Sequence, residues 1–283
     1  ATLSVVKSGG VEISAPNAIA SSFGSKDYRL DALSGRNITV KSQNGSTAVI
    51  VQGLTSDSGT IDGTKLNGVS ANDFRLKDEG GILGITATDL NVRELASNGT
   101  RIEGLVAPFV TLDNKAGVTT IYSDKLRVAK IDNDSAVLGS LNIAGVRLTI
   151  RSGTIQGSSG DIDAGDVALS KSKPLPAGGQ IQAVKFNRPV FIVEPSGRYR
   201  ATADMSIGGG TIGDVSLGSA KANVVIDNDR INLNDLAAKV MDGDVKGSMS
   251  FALNDRSQSR IDADFTDLEL SKLVALQSGR VMP

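Results

Sequence analysis

Apolar and polar side chains alternate with a period of two along most of this chain, and that pattern constrains the fold more than any other feature. Val245-Lys246-Gly247-Ser248-Met249-Ser250-Phe251-Ala252-Leu253 and Arg260-Ile261-Asp262-Ala263-Asp264-Phe265 are clear cases. Successive side chains of a β-strand point to opposite faces, so each stretch presents one apolar and one polar face. A sheet of such strands keeps one face wet, as antiparallel meanders do. Turn-forming residues separate the stretches: Asn44-Gly45, Asp62-Gly63, Asn67-Gly68, Asn98-Gly99, Pro195-Ser196-Gly197, Asp227-Asn228-Asp229 and Asp242-Gly243. These favour the left-handed backbone of hairpin turns. Glycine at 32 of 283 residues, with 7 prolines, fits many short strands joined by tight turns. Helical periodicity is confined to Leu270–Ser278, with Gly279 placed to end it. The chain therefore reads as all-β, an elongated, mostly antiparallel curved sheet of groove or solenoid-like form with at most one or two short helices.

A repeat is visible between about residues 60 and 170. Ile85-Thr86-Ala87-Thr88-Asp89-Leu90-Asn91-Val92-Arg93-Glu94-Leu95 matches Ile121-Tyr122-Ser123-Asp124-Lys125-Leu126-Arg127-Val128-Ala129-Lys130-Ile131 at an offset of 121 − 85 = 36. A unit of that length, holding about three strands, predicts sequential stacking in which each unit touches its neighbours. Leu169 to Gly179, with two prolines, two lysines and a glycine pair, breaks the pattern. It divides the chain into a repeat-containing region, 1–170, and a C-terminal meander, 171–283, where the strands are expected to lengthen. The ends read as cut from a longer protein, with any targeting segment outside.

Composition narrows the chemistry. The chain has no His and no Cys. Ser-His-Asp and Cys-His catalysis, imidazole or thiolate metal sites and disulfides are thereby removed. Net charge is −1, from 30 basic and 31 acidic residues, and aromatics are 4% with no Trp. Neither phosphate neutralisation nor base stacking has material, so nucleic acid is not an expected partner. No apolar stretch approaches the roughly 20 residues of a membrane helix.

Three motifs invite chemistry and read better as structure. Gly208-Gly209-Gly210-Thr211-Ile212-Gly213 fits the dinucleotide pattern, but Asp214-Val215-Ser216-Leu217-Gly218 continues as a strand and not as the helix a pyrophosphate needs. Asp161-Ile162-Asp163-Ala164-Gly165-Asp166 resembles a calcium loop without its bidentate Glu, and reads as an Asx-stabilised turn. Asp262 and Asp264 share one face of a strand and read as its solvated side. The chain is expected to be no enzyme and to need no cofactor.

Gly218-Ser219-Ala220-Lys221-Ala222-Asn223-Val224-Val225-Ile226-Asp227-Asn228-Asp229-Arg230-Ile231-Asn232-Leu233 runs into Leu236-Ala237-Ala238-Lys239-Val240-Met241-Asp242-Gly243-Asp244-Val245-Lys246-Gly247. This resembles the AsmA-like C-terminal domain: a strand, a turn, a strand ending L-x-A, a Gly-containing turn and a strand opening x-V-x-G. The segment from Ile261 to Leu273 is similar to that family's closing strand and short helix. The resemblance implies a periplasmic protein of a double-membrane envelope, anchored in the inner membrane and serving outer-membrane biogenesis, with a β-groove that conveys phospholipid or other acyl-chain lipid. The residues expected to line the groove are Val224, Ile226, Ile231, Leu233, Leu236, Val240, Met249, Phe251, Leu253, Ile261 and Phe265. The alternative is a structural or adhesive β-solenoid of a cell surface, without lipid cargo.

Overall fold

The structure, a computed structural model, describes residues 2–6, 10–24, 28–61, 63–171, 178–213, 215–240, 243–254 and 258–267. Every regular element among them is a β-strand, so the chain is all-β, and the strands pair antiparallel. The expected helix at Leu270–Ser278 lies outside the described residues. Two compact units emerge: residues 1–133 with 141–157, and residues 134–140 with 158–283.

The chain opens with β1 (Thr2–Val6), β2 (Gly10–Gly24), β3 (Tyr28–Gln43), β4 (Ser46–Ile61) and β5 (Thr64–Glu79). β6 (Ile82–Ser97), β7 (Thr100–Lys115), β8 (Val118–Val128) and β9 (Lys130–Asp132) follow. Next come β10 (Ala136–Leu138), which belongs to the second unit, and β11 (Leu141–Arg151) and β12 (Thr154–Ser158). In the first unit each strand from β1 to β7 pairs with its successor, and β8 pairs onward with β11. The turns explain this regularity. Asn44-Gly45, Gly80-Gly81, Asn98-Gly99 and Ala116-Gly117 all hold positive φ at both residues. That is the two-residue type I′ hairpin, whose twist matches that of the strands it joins.

The expectation of many short strands is corrected here. β3 to β7 are each 16 residues long. Turns therefore recur at 98 − 80 = 18 and 116 − 98 = 18 residues, and the 36-residue repeat holds two long strands and not three. The difference has a physical source. Asn67-Gly68, a hairpin signal in the sequence, lies inside β5, where Gly68 has φ +60°. Gly53 in β4 (φ +56°), Asp89 in β6 (φ +50°) and Gly104 in β7 (φ +63°) are its counterparts.

These residues bend each strand without ending it. In β6 the inward side chains are Ile85, Ala87, Leu90, Val92 and Leu95, with steps of two and three in alternation. Each step of three places two consecutive residues outward, Thr88-Asp89 and Arg93-Glu94. A strand with two outward neighbours turns toward its inward face, as a bulge does. Neighbouring strands bend at matching places because they stay in register: Ala87 pairs with Val110 and Val92 with Leu105. The most buried apolar side chains of the unit, Val51, Leu66, Ala71, Ala87, Val92, Ala107 and Val128, flank these bends. The sheet is thus curved, with its apolar face on the concave side.

Between the bends, large and small side chains face each other across strands, Leu54 with Ala71 and Leu90 with Ala107. Ala107 is 0% exposed, so no room remains beside Leu90. Ala107→Leu is expected to destabilise by roughly 1–3 kcal/mol through overpacking. Thermal denaturation followed by circular dichroism reads this as a lowered midpoint, and an unchanged midpoint would show the floor to be loosely packed.

The second unit is built from β10 with β13 (Ile162–Leu169), β14 (Gly179–Val193), β15 (Tyr199–Ile207), β16 (Gly209–Ile212), β17 (Val215–Asp227), β18 (Arg230–Val240), β19 (Gly243–Ala252) and β20 (Arg260–Thr266). β13, β14, β15, β17, β18, β19 and β20 pair in that order, with β16 bridging β14 and β17. These strands are mostly shorter than those of the first unit, contrary to expectation. The strands that flank the Leu169 to Gly179 segment are neighbours within one unit, because Leu169 pairs with Gly179 across it.

The Gly-rich run leads into strand and not helix, as expected. β16 is a strand, and a Cβ at Gly210 would strike the Gln180 carbonyl oxygen, so glycine is required for that close approach. Asp161 to Asp166 keeps the expected Asx hydrogen bond, the Gly165 N–H donating to Asp163 Oδ1 at 3.1 Å, but within strand β13 at a register shift and not in a turn between strands. Asp227 does cap a turn, accepting the N–H groups of Asp229 and Arg230 at 2.9 Å each. Those two donors hold its carboxyl below the usual carboxylate range.

Candidate functional site: the apolar face

In the first unit, one inward residue from each strand forms a row running across the sheet. Ile13, Val40, Val49, Leu76, Ile85, Leu112, Ile121 and Leu148 are successive partners in register. On the far side of the bends, Leu66, Leu95, Ile102 and Ile131 continue another such row. The opposite face is polar. There Arg101 Nε donates to Glu94 Oε2 at 2.9 Å and lies 3.2 Å from Glu103, while Lys130 pairs with Asp132 at 2.7 Å. The Arg101 guanidinium holds the Glu94 carboxyl below its usual range. These pairs are solvent-exposed and explain the wet face; they contribute little stability.

The rows are apolar yet only half-buried. Val40, Val49, Leu76, Ile85, Leu112, Ile121 and Leu148 all keep contact with solvent, and Ile13 is 39% exposed. A second sheet packed face to face, about 10 Å away, would bury such side chains. Among the described residues of the unit, no such layer covers them.

The second unit brings together the residues singled out from the sequence. Val224, Leu233, Met249 and Ile261 are consecutive partners across β17 to β20. Ile226, Ile231 and Phe251 form the adjacent row, and Phe191 and Ala201 extend it. Strict alternation from Ile231 and Leu233 would turn Asp235 inward. Instead Asp235 takes φ +50° at a register shift, which brings Leu236 onto the same face as Leu233. Leu233, Val240 and Met249 pack against the buried cluster of Ala222, Leu236 and Val245. Phe265 joins by pairing with Val245. Leu253 lies just past β19, where its N–H donates to the Asp229 carbonyl oxygen at 2.8 Å and so extends the pairing with β18 by one residue.

Of these eleven residues only Val224 and Leu236 are buried. Exposure climbs along the row from Val224, 5%, to Ile261, 60%, at β20. Sequence reasoning missed Val245, at 1% exposure the most enclosed large side chain, and the alanines Ala222, Ala238 and Ala263 around it. The parity of Met249 and Phe251 extended two steps back would have found Val245. The alanines carry no signal of their own, since alanine suits either face. A cavity of about 380 Å³ borders this cluster, lined by Ile207, Ala220, Ala238 and Val245 together with Lys221, Lys239 and Lys246.

Nothing among the described residues of either unit gathers reactive groups. Asp262 and Asp264 lie on the solvated face opposite Ser248 and Lys246. Among the described residues no group of acidic side chains is placed to hold a metal ion, and no helix is long and apolar enough to cross a membrane. In comparison with known proteins, no family model, no curated protein and no solved structure matches the chain. The site is therefore defined by its surface alone: in each unit, an apolar face built of rows that take one residue from each strand and left partly open.

Proposed function

We propose that the chain is a non-enzymatic cell-envelope protein that binds lipid acyl chains along its apolar face. The supporting observation is the half-exposed row in each unit. A protein of this size rarely leaves contiguous apolar surface uncovered unless something binds there. Leu233, Met249 and their neighbours offer no hydrogen-bonding side chain, so a ligand would be held by its tail with its head group in water. Met249 suits tails of varied shape because its thioether side chain is flexible and polarizable. The likeness of residues 218–247 to the AsmA-like C-terminal domain fits this reading, and with it a periplasmic location and an inner-membrane anchor carried by other parts of the protein. A purely structural or adhesive role gives no reason for the apolar side to stay open.

Purified protein is expected to carry phospholipid, detectable by mass spectrometry of an organic extract. Leu233→Asp or Met249→Asp should lose it, because an unpaired charge on the apolar face is costly to desolvate. Asn232→Asp, one residue from Leu233 and facing the other way, should retain it. Folded wild-type protein without bound lipid would overturn the proposal.

A further inference from the structure

The wet face of the second unit carries positive charge that the sheet does not itself neutralise. Ser206, Lys221, Ala237 and Lys246 are consecutive partners in register across β15, β17, β18 and β19. Ala237 therefore stands with a lysine on either side. Other cross-strand pairs on the wet faces join opposite charges, as Lys41 with Glu12 at 3.2 Å and Lys185 with Asp163 at 3.7 Å. Among the described residues Lys221 and Lys246 form no hydrogen bond or ion pair, although Asp264 is the next partner of Lys246.

The cavity of about 380 Å³ lies over this row. Ser206, Lys221, Ala237 and Lys246 form one wall, and Ser219, Lys239 and Asp244 form the other. Ile207, Ala220, Ala238 and Val245 lie in the row between, with side chains toward the apolar face, and supply the floor through their backbone. Their neighbours on the apolar side, Ala222, Leu236 and Val240, take no part in the lining, so the cavity opens on the wet face. Gly218 keeps one end clear, because a Cβ there would lie 2.6 Å from the Cβ of Lys239. The lining holds three lysines and one aspartate, a balance of 3 − 1 = +2, and Lys239 Nζ lies 2.9 Å from Asp244.

We infer that this trough binds a phosphate monoester, clamped by Lys221 and Lys246 above the short side chain of Ala237. Such a group carries about −1.5 to −2 at pH 7, which matches the charge of the lining. Lysine suits it as a point charge with three donors that needs no planar partner. The two lysines stand two strand spacings apart, about 10 Å, a span their long stems close over one anion. The Ser206 and Ser219 hydroxyls offer further donors. A soluble phosphate ester and the head group of phosphatidic acid share this chemistry. None of it depends on acyl chains at the opposite face.

Isotope-labelled protein is titrated with glycerol 3-phosphate at pH 7 and low ionic strength, with its amide resonances followed. Saturating shifts are expected at Ser206, Lys221, Ala237 and Lys246 and not around Lys41, and sodium chloride at equal ionic strength should produce none. Lys221→Gln and Lys246→Gln should each weaken binding roughly fivefold or more, while Lys41→Gln leaves it unchanged. Ala237→Glu, which sets a carboxylate between the lysines, should abolish binding without lowering the melting midpoint. In parallel, the protein is sedimented with phosphatidylcholine vesicles with and without phosphatidic acid. Recruitment by phosphatidic acid that Lys221→Gln abolishes, with no response to glycerol 3-phosphate, would assign the phosphate to a lipid head group. Shifts that spread over all lysines without saturating, or binding indifferent to both lysine variants, overturn the inference. So does the failure of both probes.

Discussion

Val245→Asp is expected to lower the melting midpoint by about 10 °C. Val245 is 1% exposed and packs with Ala222 and Leu236, and its partners in register, Ala238 and Phe265, are apolar or small. At 1% exposure a carboxylate there would be stripped of nearly all its hydration. An uncompensated buried charge costs about 3–5 kcal/mol. For a protein of this size each kcal/mol shifts the midpoint by roughly 2–4 °C. Burial raises the pKa of such a carboxyl in the folded state, so the deficit belongs to pH values above the unfolded pKa of about 3.9 and shrinks as pH falls toward it. Lys246→Gln, one residue along on the wet face, should change stability by less than about 0.5 kcal/mol. Thermal scans of both variants at pH 7, and of Val245→Asp at falling pH, check the set. Equal midpoints for the two variants would mean that Val245 is not enclosed in the folded protein, and the opposite order would mean that the assignment of faces in β19 is reversed.

The contrast between Val245 and Lys246 was legible in the sequence, because alternation along β19 separates the faces without knowledge of its neighbours. The all-β character and the antiparallel order were legible for the same reason. Strand length was not. Asn67-Gly68 and Asn44-Gly45 are the same dipeptide, yet one bends a strand and the other closes a hairpin. A glycine at positive φ serves both, and what decides is whether the next strand pairs straight past it. Pairing is a non-local property that neither residue reveals. The spacing did hold the answer in part: Ile85, Ala87, Leu90, Val92 and Leu95 recur 36 residues later as Ile121, Ser123, Leu126, Val128 and Ile131. Steps of three inside a strand pattern mark bends, and read that way they give one long strand in place of two short ones.

The candidate site followed the same division. Ile226, Ile231, Leu233, Met249 and Phe251 could be placed on one face because each strand obeys alternation locally. Leu236 shares that face only through the shift at Asp235, which no pattern of period two predicts. The first unit's rows went unrecognised as a site because the resemblance lay in the C-terminal third. Yet Ile85, Leu112 and Ile121 are partners in register and are half-buried, as Ile226, Ile231 and Leu233 are.

That equivalence leads to the sharpest expected contrast. If acyl chains lie along the apolar face of the first unit, a photoreactive side chain should capture lipid at Ile85, Leu112 and Ile121 and fail at Thr86, Thr111 and Tyr122. The two sets are immediate neighbours in sequence, and each is a row of direct partners in the sheet. They differ only in the side of the sheet they occupy, so differences in expression, stability or local mobility cannot produce the alternation. Capture should be nearly complete in one set and at background in the other, because a side chain on the wet face is separated from the groove by the backbone layer itself. Lipid adhering non-specifically to exposed protein would label both sets, since Thr111 and Leu112 are both half-buried. Labelling that ignores parity would therefore remove the groove from the first unit, and labelling confined to the C-terminal rows would restrict lipid to the second. Alternating capture in both would mean that each unit holds acyl chains by the same device: one apolar side chain per strand, on a face bent toward its own interior.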